Sequence, residues 1–311
     1  MKLQNQIETL STHKNPAAIV NVAMVPQRSP FRYPGGKTWL VPLIRRWLKD
    51  RLSPVSELIE PFAGGAIVGL TAGFESLAAR VTLIERDPQV AAVWRSILNG
   101  DGDWLADRIS TFELSKNSIR QALGSRQQSD REKAFTTILR NRVQRGGILA
   151  SGAGVMKAGE NGRGIQSRWY PETLRRRILA IAGIKDRFRF FEGDGIEFIR
   201  QNAHRRDVAF FIDPPYTVAG RRLYTYSDVD HDGLFQLATT IAGDFLMTYD
   251  DVGEIRRVAA KYHFDTEPVA MKNTHHAKMT ELLIGRNLDW ARFRSPSDQV
   301  FPEFAAQTSR G

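Results

Sequence analysis

Val208-Ala209-Phe210-Phe211-Ile212-Asp213-Pro214-Pro215-Tyr216 is the stretch that decides the fold. Five β-branched, aromatic or small apolar residues read as a strand buried on both faces. Neither proline can donate to a sheet ladder, so the strand ends at Asp213. The carboxylate therefore stands at a C-terminal strand end, the edge of an open α/β sheet where ligands bind.

Upstream, the same grammar repeats. Val55-Ser56-Glu57-Leu58-Ile59-Glu60 is a short strand that enters the turn Pro61-Phe62-Ala63-Gly64-Gly65-Ala66, with a helix following through Leu70. Ala79 to Ile84 reads as a second strand, closed by Glu85. A glycine turn after one strand and an acid at the end of the next suit a nucleoside-like ligand: small residues admit it, and the acid accepts hydrogen bonds from ribose hydroxyls. Phe188 to Phe191 is a further strand, followed by Gly193-Asp194-Gly195. Asp194 can either cap the helix Ile196–Arg200 or accept from an adenine amino group. Glu85, Asp194 and Asp213 are thus expected on one rim. The segment Phe31-Arg32-Tyr33-Pro34-Gly35-Gly36-Lys37-Thr38 precedes a helical apolar pattern and is either a capped helix start or a ligand contact. It lacks phosphate-loop spacing, and no Gly-x-Gly-x-x-Gly follows the first strand, which argues against a dinucleotide oxidoreductase. Downstream, a loop over Thr217–Asp230 carries Arg221, Arg222, Tyr224 and Tyr226. A helix over His231–Ile241 and strands at Phe245–Tyr249 and Glu281–Ile284 complete the pattern.

The 311 residues carry a formal charge of +10. Residues 120–177 hold thirteen Lys and Arg against four acids, so most of the excess lies in this stretch. Concentrated arginine among glycines suits a phosphate backbone. A helix over Ala134–Leu139 leads into Asn141-Arg142-Val143-Gln144-Arg145-Gly146-Gly147, then into the glycine-rich Ser151–Gly164. The absence of cysteine excludes disulfides, thiolate metal sites and thiolate nucleophiles. The histidines are scattered or, at His275 and His276, adjacent, so no metal site is expected. No run approaches the roughly 18 apolar residues of a membrane span, and the first residues lack a signal core. The expectation is an intracellular, cytoplasmic protein without membrane contact.

These segments resemble the Dam-like family of DNA adenine-N6 methyltransferases. Asp213-Pro214-Pro215-Tyr216 matches the amino-methylation signature, and Tyr33-Pro34-Gly35-Gly36-Lys37 ahead of Glu60-Pro61-Phe62-Ala63-Gly64 matches this branch. The resemblance implies a Rossmann-like α/β sheet using S-adenosyl-L-methionine, with a mainly helical DNA-recognition insertion. The catalytic domain is expected at 27–98 plus 178–290, the insertion at 99–177, a flexible arm at 1–26 and a tail at 291–311. Cofactor contacts are implied for Tyr33, Gly36, Lys37, Pro61, Phe62, Gly64, Glu85 at the ribose, Asp194 near the adenine, and Asp213. Asp213, Pro214, Pro215 and Tyr216 are the implied catalytic group. Asp213 and the Pro214 carbonyl would accept from the target amine, and Tyr216 would stack on a base turned out of double-stranded DNA. DNA contacts are implied for Arg126, Asn141, Arg142, Arg145, Lys157, Arg163, Arg168 and Tyr224. The expected state is a monomer or weak dimer on DNA, with a cognate restriction enzyme as a candidate partner. RNA adenine or DNA cytosine-N4 methylation, and a noncatalytic DNA-binding module, are the alternatives. The chain departs from the family in having Ala66 where a second glycine is usual, and Glu85-Arg86-Asp87 where Asp-x-Asn is common.

Overall fold

The computed structural model describes residues 25–32, 36–49, 54–149, 154–156, 159, 162–215, 229–272 and 278–292. Seven strands form one sheet: β1 Val55–Glu60, β2 Ala78–Glu85, β3 Phe188–Glu192, β4 Val208–Ile212, β5 Asp244–Asp250, β6 Asp265–Lys272 and β7 Lys278–Gly285. Their spatial order is β3-β2-β1-β4-β5-β7-β6. Strands β1 to β5 pair in parallel, while β7 runs antiparallel between β5 and β6. Strand order reverses between β1 and β4, which leaves a crevice beyond their carboxyl ends. The fold is mixed α/β and Rossmann-like, as expected.

The central strands are apolar because both faces are covered. Phe211, Leu58, Leu246 and Leu283 point into one core with Ile44, Val68 and Trp94; Phe210, Ile59, Phe245 and Ile284 point into the other with Ile199 and Phe235. Full burial of Phe210 and Phe211 contributes about 1.5–3 kcal/mol each. The first core is built with helices α1 Val41–Lys49, α2 Ile67–Phe74 and α3 Pro88–Leu98, the second with α8 Gly195–Asn202, α9 His231–Thr239 and α10 Gly253–Lys261.

The basic middle is helical: α4 Gly102–Ser110, α5 Lys116–Gly124, α6 Asp130–Val143 and α7 Pro171–Ala182. Its apolar residues, among them Leu105, Ile109, Ile119, Ile138, Leu174 and Ile178, belong to the same core cluster as one face of the sheet. The insertion expected at 99–177 therefore closes no separate core, and its C-terminal boundary falls inside α7, which runs unbroken through residues 177 and 178. Residues 1–24 of the arm expected at 1–26, and residues 293–311 of the tail expected at 291–311, lie outside the described residues.

Candidate active site

The turn after β1 is fixed from three sides. Ala63 N–H donates to the Ile84 carbonyl at 2.9 Å. Gly64 N–H donates to Glu85 Oε2 at 2.9 Å, and Trp94 Nε1 donates to the Gly64 carbonyl at 3.0 Å. Gly64 adopts φ 46°, a left-handed conformation suited to glycine. Glu85 Oε1 also accepts from Asp87 N–H at 2.8 Å. Desolvation raises Glu85 from the ordinary 4.5 to about 7, although these backbone donors oppose the rise.

Glu60 stands at the end of β1, 3% exposed, with Oε2 accepting from Gly69 N–H at 2.8 Å. Desolvation, reinforced by the charge of Asp213, holds its carboxyl well above the usual range despite that bond. A side chain at residue 69 would place Cβ 2.6 Å from this carboxylate, which explains the glycine in α2. The sequence reading did not assign Glu60 to the site. Its position at the strand end beside that of Asp213 was the available signal.

Asp213 follows β4 directly. Its Oδ1 accepts from the Thr248 hydroxyl at 2.7 Å, and its Oδ2 lies 3.1 Å from Lys37 Nζ. Lys37 is 4% exposed and also stands 3.5 Å from Glu281 Oε2. Burial lowers the Lys37 pKa, but the charges of Asp213 and Glu281 outweigh it, so the ammonium is held above its ordinary range. Glu281 on β7 is 1% exposed, and desolvation raises it to about 7 against the opposing charge of Lys37. Lys37 was expected at the cofactor. Its ammonium pairs with the Asp213 carboxylate, and the residue also lines the cleft described below.

Asp194 is the N-cap of α8, with Oδ1 accepting from Ile196 N–H at 2.8 Å and Glu197 N–H at 3.2 Å. Capping is thus the observed role. Oδ2 stands 3.5 Å from Arg86 Nη1, and the residue still faces the cleft. Gly195 beside it packs so closely on the Pro61 carbonyl that a Cβ would come within 2.0 Å.

One cleft of about 850 Å³ gathers these groups. Gly36, Lys37, Glu60, Pro61, Phe62, Gly64, Glu85, Asp194, Asp213 and Pro215 line it, joined by Arg32, Arg142, Tyr170 and Arg177. All three acids expected on one rim therefore meet in one place. Pro214 is buried behind Asp213. Tyr33, Tyr216, Lys157 and Tyr224 lie outside the described residues.

Two residues of the basic middle expected at DNA are buried in the fold. Asn141 is fully buried, accepting from Arg32 N–H at 2.9 Å while its amide donates to the carbonyls of Arg32 and Gly147 at 2.8 and 2.7 Å. With both ends of its amide engaged, it is a clamp on residues 32 and 147 rather than a surface contact. Arg142 is 3% exposed, donates to the Pro30 carbonyl and faces the cleft instead of an outer surface. Arg126, Arg145 and Arg163 are exposed and stand outside the cleft lining, as does the partly buried Arg168.

Among the described residues no group of His, Cys, Asp or Glu is placed to hold a metal, and no helix is long and apolar enough to cross a membrane. The cleft does fit an adenosyl cofactor. The Glu85 carboxylate, oriented by two backbone donors, is an acceptor suited to a ribose diol, and Gly64 offers close backbone approach.

No curated protein matches the chain. A methyltransferase of known structure from Geobacter sulfurreducens is similar at 12% identity and TM-score 0.37, covering 82% of this chain and 80% of that one. An rRNA methyltransferase from Streptomyces viridochromogenes is similar at 13% identity and TM-score 0.37, covering 82% and 86%. Residues 33–138 match the family model of the D12 class N6 adenine-specific DNA methyltransferases, and S-adenosyl-L-methionine dependence goes with that domain.

Proposed function

We propose that this chain methylates the exocyclic N6 of adenine in double-stranded DNA. The observation that carries the reading is the Asp213 carboxylate, fixed by Thr248 and Lys37 at the sheet's switch point, in one cleft with Glu85 and the Gly64 turn. The N6-adenine family match over residues 33–138 supports the choice of base, and the exposed arginines Arg126, Arg145 and Arg163 support a polyanionic partner.

An adenine amine is a poor nucleophile because its lone pair is delocalised into the ring. Bound S-adenosyl-L-methionine supplies an electrophilic sulfonium methyl. Asp213 and the Pro214 carbonyl accept hydrogen bonds from the two amine hydrogens, which draws the nitrogen toward tetrahedral geometry and frees its lone pair; the new N–C bond would form as the methyl–sulfur bond breaks, and one amine proton would then be lost to solvent. Lys37 and Thr248 hold the Asp213 carboxylate in one orientation, so little reorganisation is needed as positive charge grows on nitrogen. Glu85 binds the ribose, Phe62 and Gly64 flank the adenosine, and Tyr216 stacks on the extruded base. Duplex DNA is the proposed partner, and a restriction enzyme recognising the same site is compatible with this role.

Asp213→Ala is expected to lower the transfer rate by at least about a hundredfold. Its affinity for S-adenosylhomocysteine should stay near that of the parent, because Glu281 remains as the counter-ion of Lys37. Nucleoside analysis after incubation with labelled cofactor checks both the rate and the base. N4-methylcytosine alone, or product on structured RNA but none on duplex DNA, would replace the reading. Full activity in the variant would remove Asp213 from the mechanism.

A further inference from the structure

The part of the cleft built by α6, α7 and residues 27–32 carries a concentration of positive charge that the methyl-transfer scheme does not use. Arg142, next to last in α6, is 3% exposed. One of its terminal nitrogens donates to the Pro30 carbonyl, while Nε is buried with no hydrogen-bond partner. Arg177 in α7 is half-buried and donates through Nη1 to the Ser29 carbonyl at 3.0 Å. Both line the cleft, as does Arg32. Among the described residues no carboxylate forms an ion pair with Arg142 or Arg177.

Withdrawing a guanidinium from water without a counter-charge is strongly unfavourable, and a second cation nearby adds repulsion. Burial first, then the charges of Arg177, Arg32 and Arg168, push the Arg142 guanidinium down to about 9. Arg177 is displaced in the same direction by burial and by Arg176. Backbone carbonyls satisfy some donors but supply no net negative charge. Such a site is complementary to an oxyanion, whose oxygens match the planar donor fork of arginine.

We propose that Arg142 and Arg177 form an oxyanion subsite of the cleft, taking a phosphate or carboxylate group of a bound ligand. The source of the oxyanion rests on the methyl-transfer reading. It is either a backbone phosphate beside the target nucleotide or the carboxylate at the amino-acid end of the cofactor.

The test uses the full chain and the variants Arg142→Gln and Arg177→Gln, with circular dichroism to verify folding. Arg177→Gln serves as the main probe because Arg177 is only half-buried, whereas Arg142 is almost wholly enclosed. Calorimetry with inorganic phosphate should show binding to the parent that weakens by roughly tenfold or more in Arg177→Gln. Affinity for 5′-methylthioadenosine, which lacks the carboxylate, should be unchanged. If S-adenosylhomocysteine then binds more weakly to the variant, the cofactor is the source. If instead duplex DNA binds more weakly, and a methylphosphonate next to the target adenine abolishes the difference, the source is DNA. Folded variants that bind phosphate, S-adenosylhomocysteine and DNA as the parent does would overturn the subsite. Failure of the parent to bind 5′-methylthioadenosine would count against the methyl-transfer reading, leaving the phosphate measurement to judge the subsite alone.

Discussion

Glu85 shows how one side chain links affinity to pH. Its folded pKa near 7 lies above the ordinary 4.5, so its contribution to stability is full below about 4.5 and is lost as pH rises through 7. Glu281 has the same sign over the same window. The melting temperature is therefore expected to fall from pH 5 to pH 8, and Glu281→Gln should flatten that fall in a scanning-calorimetry series. Ribose hydroxyls favour the carboxylate form, so affinity for S-adenosylhomocysteine should increase across pH 6 to 8. In Glu85→Gln it should be weaker and level over that range. Glu85 and Asp213 were legible because each ends an apolar run. Glu281 was not, since it appears in sequence as an acid merely tolerated at a strand start. Its counter-ion, Lys37, is far away along the chain, and local pattern carries no information about such a pair.

Among the elements, β1, β2, β4 and β5 declared themselves through apolar runs that end in acids or turn residues. Strand β6 was not legible: its first half, Asp265-Thr266-Glu267-Pro268, carries no apolar run, and it is the sheet-edge neighbour of β7, where a missing N–H and a half-solvated face are tolerated. Helix α2 starts on a strained residue. Its N-cap, Ala66, occupies the left-handed region at φ 49° and ψ 33°, a conformation that disfavours a Cβ. Ala66→Gly is expected to raise the urea midpoint by the equivalent of about 1 kcal/mol with an unchanged slope. Ala66 thus strains the turn while its hydrogen bonds to Ile84 and Glu85 stay in place.

Across the whole molecule, charge and core divide the chain differently. The basic stretch looked like a separate module in sequence because composition changes there, yet its helices share a continuous core with one face of the sheet. Burial, which composition cannot report, also drew Asn141 and Arg142 inward and left Arg126, Arg145 and Arg163 outside. If those exposed arginines meet phosphates, replacing Arg163 with Gln should weaken all duplex sequences alike. It should also reduce the slope of log affinity against log salt by about 0.9. Filter binding between low and moderate salt measures both effects.

The reversed strand β7 has a consequence for synthesis on the ribosome. It follows the six other strands in the chain, yet it delivers the acid that meets Lys37 and flanks β5, which carries Thr248. A nascent chain stopped before residue 278 contains the whole Asp-Pro-Pro signature without that acid. Chains stopped there should consequently hold Lys37 less firmly against Asp213 and transfer methyl groups more slowly than chains that include β7.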